Sequence, residues 1–84
     1  MGENDDDDLI LVSLEYILSR NYGFVVEELR SDFNLIKDMG LDSLDLAELI
    51  MIVEDTFDIH FDENDERCIS TIQDLVNLIK LKRG

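Results

Sequence analysis

Apolar residues recur at helical spacing in three separate stretches, and the gaps between them set the first picture of the fold. From Leu9 to Arg20, Ile10, Leu14, Ile17 and Leu18 repeat every three or four residues with Leu11 beside them, and Asn21 to Gly23 ends the pattern. A second stretch predicts a helix opening at Asp42, a good N-cap, with Asp45 adding a carboxylate to the electropositive first turn, and running to about Phe57. A third places Ile72, Leu75, Val76 and Ile79 on one face. Ser70 or Thr71 is its cap, Gln73 completes a Ser-x-x-Gln box with Ser70, and Lys80, Lys82 and Arg83 sit at its end, where cations favour the dipole.

Between these stretches the periodicity lapses. Residues 24–41 mix Phe24, Val26, Leu29, Phe33, Leu35, Ile36 and Met39 with polar residues, which predicts a helical turn near Glu27–Arg30 and a packed loop around Phe33–Ile36. After Phe57, the segment DIHFDEND reads as a loop, and Asn64 to Cys68 as at most one short turn of helix. Three main helices and a short extra turn give a small all-α bundle.

On a wheel at about 100° per residue, Leu46, Leu49, Ile50, Val53 and Phe57 of the second helix form the core face. Leu44 and Met51 fall on the opposite side, with Ala47 nearby and Glu48 and Asp55 among them. Isolated exposed apolar residues are common, and the 24–41 connection is long enough to cover them. The alternative is a docking face, in which Asp42, Asp45, Glu48, Glu54 and Asp55 attract a basic partner and Leu44, Ala47 and Met51 supply apolar contact. Ser43 lies between the two faces at the mouth of the helix, where a serine is also favoured for backbone reasons alone.

Charge sharpens this picture. The 84 residues carry 21 acids and 7 bases, a net charge of −14, so nucleic acid and anionic membranes are excluded as partners. Ten of the acids fall between residues 42 and 66, a segment without Lys or Arg. Residues 1–8, MGENDDDD, form an acidic leader expected to be disordered up to about Asp6. A chain of this length buries only about 60–65% of its unfolded surface, in one domain over residues 9–82. The single cysteine, Cys68, allows no internal disulfide and is expected to be a small buried hydrophobe. No apolar run approaches a membrane span and no signal peptide opens the chain, so a cytoplasmic location is expected.

Candidate chemistry is confined to a few positions. The only histidine, His60, lies in a different loop from Ser43, so nothing supports a Ser-His-Asp triad. Residues 62–73, DENDERCISTIQ, come nearest to a calcium-binding loop, but Arg67 stands where the sharp turn needs Gly and Gln73 where a bidentate Glu belongs.

The segments DMGLDSLDLAEL (38–49), VEDTFDI (53–59) and ISTIQDLVNLI (69–79) resemble the acyl carrier proteins of the phosphopantetheine-binding family. The resemblance implies a four-helix bundle with a short third helix and a long loop between the first and second helices. It further implies 4'-phosphopantetheine covalently attached to Ser43 by a phosphopantetheinyl transferase, and acyl thioesters on that arm offered to biosynthetic enzymes with basic docking surfaces. Such a protein is a monomer that catalyses nothing itself. Leu35, Met39 and Ala47 depart from the usual family residues, as does the IHF at 59–61, and keep an aminoacyl or peptidyl cargo open beside an acyl one. From other classes, an unmodified acidic helical adaptor and a divalent-cation-binding protein stand as alternatives.

Overall fold

A computed structural model describes residues 2–83 of the chain, with side chains over 7–83. Four helices follow one another: α1 (Gly2–Tyr22), α2 (Ser43–Phe57), α3 (Glu63–Arg67) and α4 (Ile72–Arg83), with a 3-10 turn at Val26–Glu28 between α1 and α2. This is the all-α bundle with a short third helix and a long first connection that the sequence implies.

The helices meet on the faces the periodicity marks out. Ile10, Leu14, Ile17 and Leu18 of α1, Leu49, Ile50 and Val53 of α2, and Ile72, Leu75, Val76 and Ile79 of α4 are all buried in one cluster. Burying a side chain of this size contributes about 1.5–3 kcal/mol, so these three helices hold the bundle together. Leu46 and Phe57 of α2 are only partly buried and close its edges.

α1 starts well before Leu9, and its backbone is helical through the acidic run expected to be a disordered leader over 1–8. Asp7 lies 3.0 Å from Lys80 Nζ, an ion pair without hydrogen-bond alignment that ties this part of α1 to α4.

The long connection is held by its backbone rather than by an apolar period. Asn34 Oδ1 accepts from the N–H groups of Ile36 (3.0 Å) and Lys37 (2.8 Å), and Asp38 Oδ2 accepts from Asn34 N–H at 2.7 Å. The same segment reaches the start of α4: Phe33 O accepts from Ile72 N–H (3.2 Å) and Ser31 O from Gln73 N–H (2.8 Å). Those two donors belong to the first turn of α4, where no intrahelical partner exists. Loop and helix therefore satisfy each other. Leu35, Met39 and Leu41 complete the packing by pointing into the core, while Ile36 stays exposed.

Two expectations from the sequence need correction. The box at the head of α4 uses Thr71 and Asp74, not Ser70 and Gln73. Thr71 Oγ1 accepts from Asp74 N–H at 3.0 Å, and Asp74 Oδ2 accepts from the N–H groups of both Ser70 (3.1 Å) and Thr71 (3.0 Å). A charged acceptor that takes two donors outcompetes a neutral amide, and the Gln73 amide instead donates to Asn77 at 2.9 Å. Cys68 is exposed rather than buried. It caps the end of α3, a helix with no buried residue, and the interior is filled on either side of that helix by Phe61 and Ile69.

α3 owes its shape to polar contacts. Asp62 and Asp65 form a capping box, and Asp65 Oδ2 also takes an ion pair from Lys82 Nζ of α4 at 2.7 Å. Lys82 holds the Asp65 carboxyl below the usual carboxylate range. Among the described residues, no helix is long and apolar enough to cross a membrane.

Candidate functional site

The site is built at the start of α2. Gly40 adopts φ +76°, a left-handed turn that a side chain disfavours, and Leu41 beside it is buried. The chain is thus anchored immediately before the helix. Asp42 Oδ1 accepts from Asp45 N–H at 2.8 Å, and Asp45 Oδ2 accepts from Asp42 N–H at 3.3 Å, a reciprocal capping box.

That box decides how Ser43 is read. With the cap supplied by Asp42 and Asp45, the serine is the first residue of α2, exposed, and among the described residues its hydroxyl enters no hydrogen bond. A capping role for it is removed. What remains is a primary hydroxyl on a rigid helix end, facing solvent.

Further along α2, Leu44 is 80% and Met51 67% exposed, so the 24–41 connection does not cover them. Ala47, Glu48 and Asp55 are exposed with them. The other acids expected on this face are partly committed to structure. Asp45 belongs to the cap, and Glu54 Oε2 accepts from Phe61 N–H at 2.7 Å with His60 Nδ1 3.3 Å away. His60 therefore belongs to the far part of α2, beside Glu54 and about 16 Å of helix from Ser43 at ~1.5 Å per residue.

Tyr22, at the end of α1, reaches this face. Its hydroxyl lies 3.1 Å from Asp45 O and 3.0 Å from Glu48 Oε1, tying α1 to the first turns of α2. Burial first, and then the Glu48 and Asp45 charges, push the phenol up to about 12. A raised value favours the neutral, donating form in the folded protein, so this linkage is intact below the ordinary phenol range near pH ~10 and is lost as pH rises through about 12. In a Tyr16→Phe background, the remaining phenolate absorbance is expected to titrate near 12. A midpoint at the ordinary value would show that Tyr22 does not hold Glu48.

Beside Ser43 a groove of ≈ 320 Å³ opens between α2 and α3. Its apolar lining is Ile36, Leu46, Ala47 and Ile50, and its polar rim is Ser43, Glu63, Glu66 and Arg67. The periodicity of the sequence does not reveal this rim. The available signal is that Arg67 is the only Lys or Arg between residues 38 and 79.

The residues fit a phosphodiester-linked prosthetic group: an accessible hydroxyl with no structural duty, the positive end of a helix dipole, and an apolar groove alongside. They do not fit a calcium-binding loop. In residues 62–73 the carboxylates of Asp62 and Asp65 are engaged in a helix cap, and among the described residues no group of three or more His, Cys, Asp or Glu side chains is arranged to hold a metal ion.

Comparison with known proteins agrees with this geometry. Residues 14–79 match the family described as phosphopantetheine attachment site. An acyl carrier protein of Nitratidesulfovibrio vulgaris is 39% identical over 67 residues, covering 80% of this chain and 88% of its own. Another, of Chlamydia felis, is 34% identical over 84 residues, covering 100% of this chain and 99% of its own. The crystal structure of an acyl carrier protein from Thermotoga maritima shares the fold with a TM-score of 0.80 at 23% identity, over 92% of this chain and 89% of that one. The chain belongs to the acyl carrier protein family, whose prosthetic group is 4'-phosphopantetheine.

Proposed function

We propose that this protein carries acyl intermediates on a phosphopantetheine arm attached to Ser43 and presents them to the enzymes of a fatty acid, polyketide or related pathway. The observation that carries the reading is the Ser43 hydroxyl itself, exposed at the first position of α2 while Asp42 and Asp45 supply the cap. In the loading reaction the Ser43 Oγ–P bond forms as the bond from that phosphorus to the adenosine bisphosphate portion of coenzyme A breaks, and the hydroxyl proton passes to the transferase. The arm's terminal thiol supplies the thioester chemistry. The protein supplies a rigid attachment point and a recognition face, with no catalytic residue of its own.

That face is Leu44, Ala47, Glu48, Met51 and Asp55 on α2, with Asp42 at its head. Exposed apolar side chains set among carboxylates suit a basic partner surface, the transferase first and the biosynthetic enzymes after it. A cytoplasmic monomer fits this role, since a net charge of −14 opposes self-association.

The test is intact mass after incubation with coenzyme A, Mg²⁺ and a broad-specificity phosphopantetheinyl transferase, with peptide mapping of the product. A gain of one phosphopantetheine unit mapped to Ser43 is expected; no gain sinks the reading. Charge reversal at Glu48 or Asp55 is expected to lower the transferase kcat/KM roughly tenfold at low salt, because steering by surface charge acts on association. The effect should shrink as salt rises, since the screening length falls to about 3 Å at 1 M. Rates indifferent to salt and to both reversals would remove these acids from the docking face.

A further inference from the structure

Arg67 is the one cation on the rim of the groove that Ser43 also lines, and it has no strong partner of its own. Its contact is Glu63, one helical turn away at 4.0 Å, with the two side chains 76% and 90% exposed. A pair that open to water adds little stability, so the guanidinium is free to exchange it for a better acceptor.

A phosphodiester on Ser43 is such an acceptor. It is a permanent anion, and a guanidinium offers a planar set of donors that matches two phosphate oxygens at once. The site otherwise lacks a counter-charge. Asp42 and Asp45 flank the serine, and Glu63 and Glu66 stand across the groove. The carboxylates of Asp42 and Asp45 are turned onto each other's backbone N–H, which leaves the helix dipole and Arg67 as the favourable electrostatic elements near the serine.

We propose that Arg67 is a positioning residue that binds the phosphodiester of the prosthetic group across the α2–α3 groove. The inference rests on the reading of Ser43 as the attachment point. It assigns α3 a role in holding the base of the arm, set by a side chain that the capping of α3 does not use.

The experiment compares the unmodified and modified forms of the full chain by NMR, after intact mass has shown one phosphopantetheine unit on Ser43. The Arg67 Nε–H resonance, assigned by its loss in Arg67→Gln, is expected to move on modification and to return toward its unmodified position in ~1 M salt, where screening acts within about 3 Å. The phosphorus resonance of modified Arg67→Gln is expected to shift to that of a phosphopantetheinylated serine peptide, with Arg67→Lys intermediate. Modification that leaves the Arg67 resonance in place, or a phosphorus signal indifferent to Arg67→Gln, overturns the proposal and leaves Ser43 untouched. So does an Arg67 shift that appears only once the thiol is acylated, because the contact is then with cargo. Absence of any mass gain removes the Ser43 reading, and this one with it.

Discussion

Ser43→Ala is expected to abolish modification completely while leaving the fold intact. The loss is total because the phosphodiester needs the hydroxyl oxygen, and no neighbouring side chain offers a substitute: Asp42 and Asp45 are carboxylates, and Leu44 is apolar. Stability should change by no more than about 0.5 kcal/mol, as for exposed substitutions away from special features. That expectation is specific to this helix end. At many helix starts, replacing a serine removes a cap and costs ~1 kcal/mol, but here Asp42 and Asp45 carry the cap between them. Intact mass and a thermal melt on the same sample separate the outcomes. A folded, unmodifiable variant supports attachment at Ser43. A variant still gaining one unit places the attachment elsewhere, and an unfolded one shows that the serine is structural. An unmodified adaptor, the competing class, predicts no mass gain in either protein and partner binding unaffected by the substitution.

The parts of the fold that were legible in the sequence are those where one interaction dominates a local stretch. Ile10, Leu14, Ile17 and Leu18 repeat at helical spacing because they share one buried face, and the same holds for Leu49, Ile50 and Val53. The Asp42 cap was legible for the same reason, since an acid three residues before another acid at a helix start has one obvious use. Exposure of Leu44 and Met51 followed from the wheel once the core face was fixed.

What remained illegible depends on partners distant in sequence or on a contest between equivalents. At the head of α4, Ser70 with Gln73 and Thr71 with Asp74 have the same spacing, and only the charge of Asp74 decides between them. The 24–41 connection has no period to read because its order comes from the Ser31 and Phe33 carbonyls meeting α4 about forty residues on. Arg67 reads as an isolated base in an acidic stretch until the groove places it beside Ser43. Cys68 follows composition, which favours burial for cysteine, until α3, a helix with no buried residue, carries it outward.

Phe61 is the clearest case of a core residue without a local signal, and its replacement is expected to have the largest effect on stability. It sits in the acidic stretch that follows α2, with only Ile59 as an apolar neighbour, yet it is 2% exposed and among the largest fully buried side chains. Its backbone N–H is held by Glu54 at 2.7 Å, which fixes the side chain's entry into the core just before the Asp62 cap. Because α3 buries nothing itself, Phe61 and Ile69 are the apolar anchors on either side of it, with Lys82 adding a partly buried ion pair to Asp65. Phe61→Ala removes one anchor and leaves a cavity, a change that costs about 3–5 kcal/mol in well-packed cores. A domain of 84 residues has a total stability on the order of 4–13 kcal/mol, so the variant is expected to lose about a quarter of it or more. Urea denaturation measures the loss. Hydrogen exchange locates it, with protection falling first over residues 62–69, while Phe61→Leu, which preserves most of the volume, recovers much of both. If Phe61→Ala costs under ~1 kcal/mol, α3 is held by its caps and Lys82 rather than by its flanking anchors, and the groove beside Ser43 would then depend on charge instead of packing.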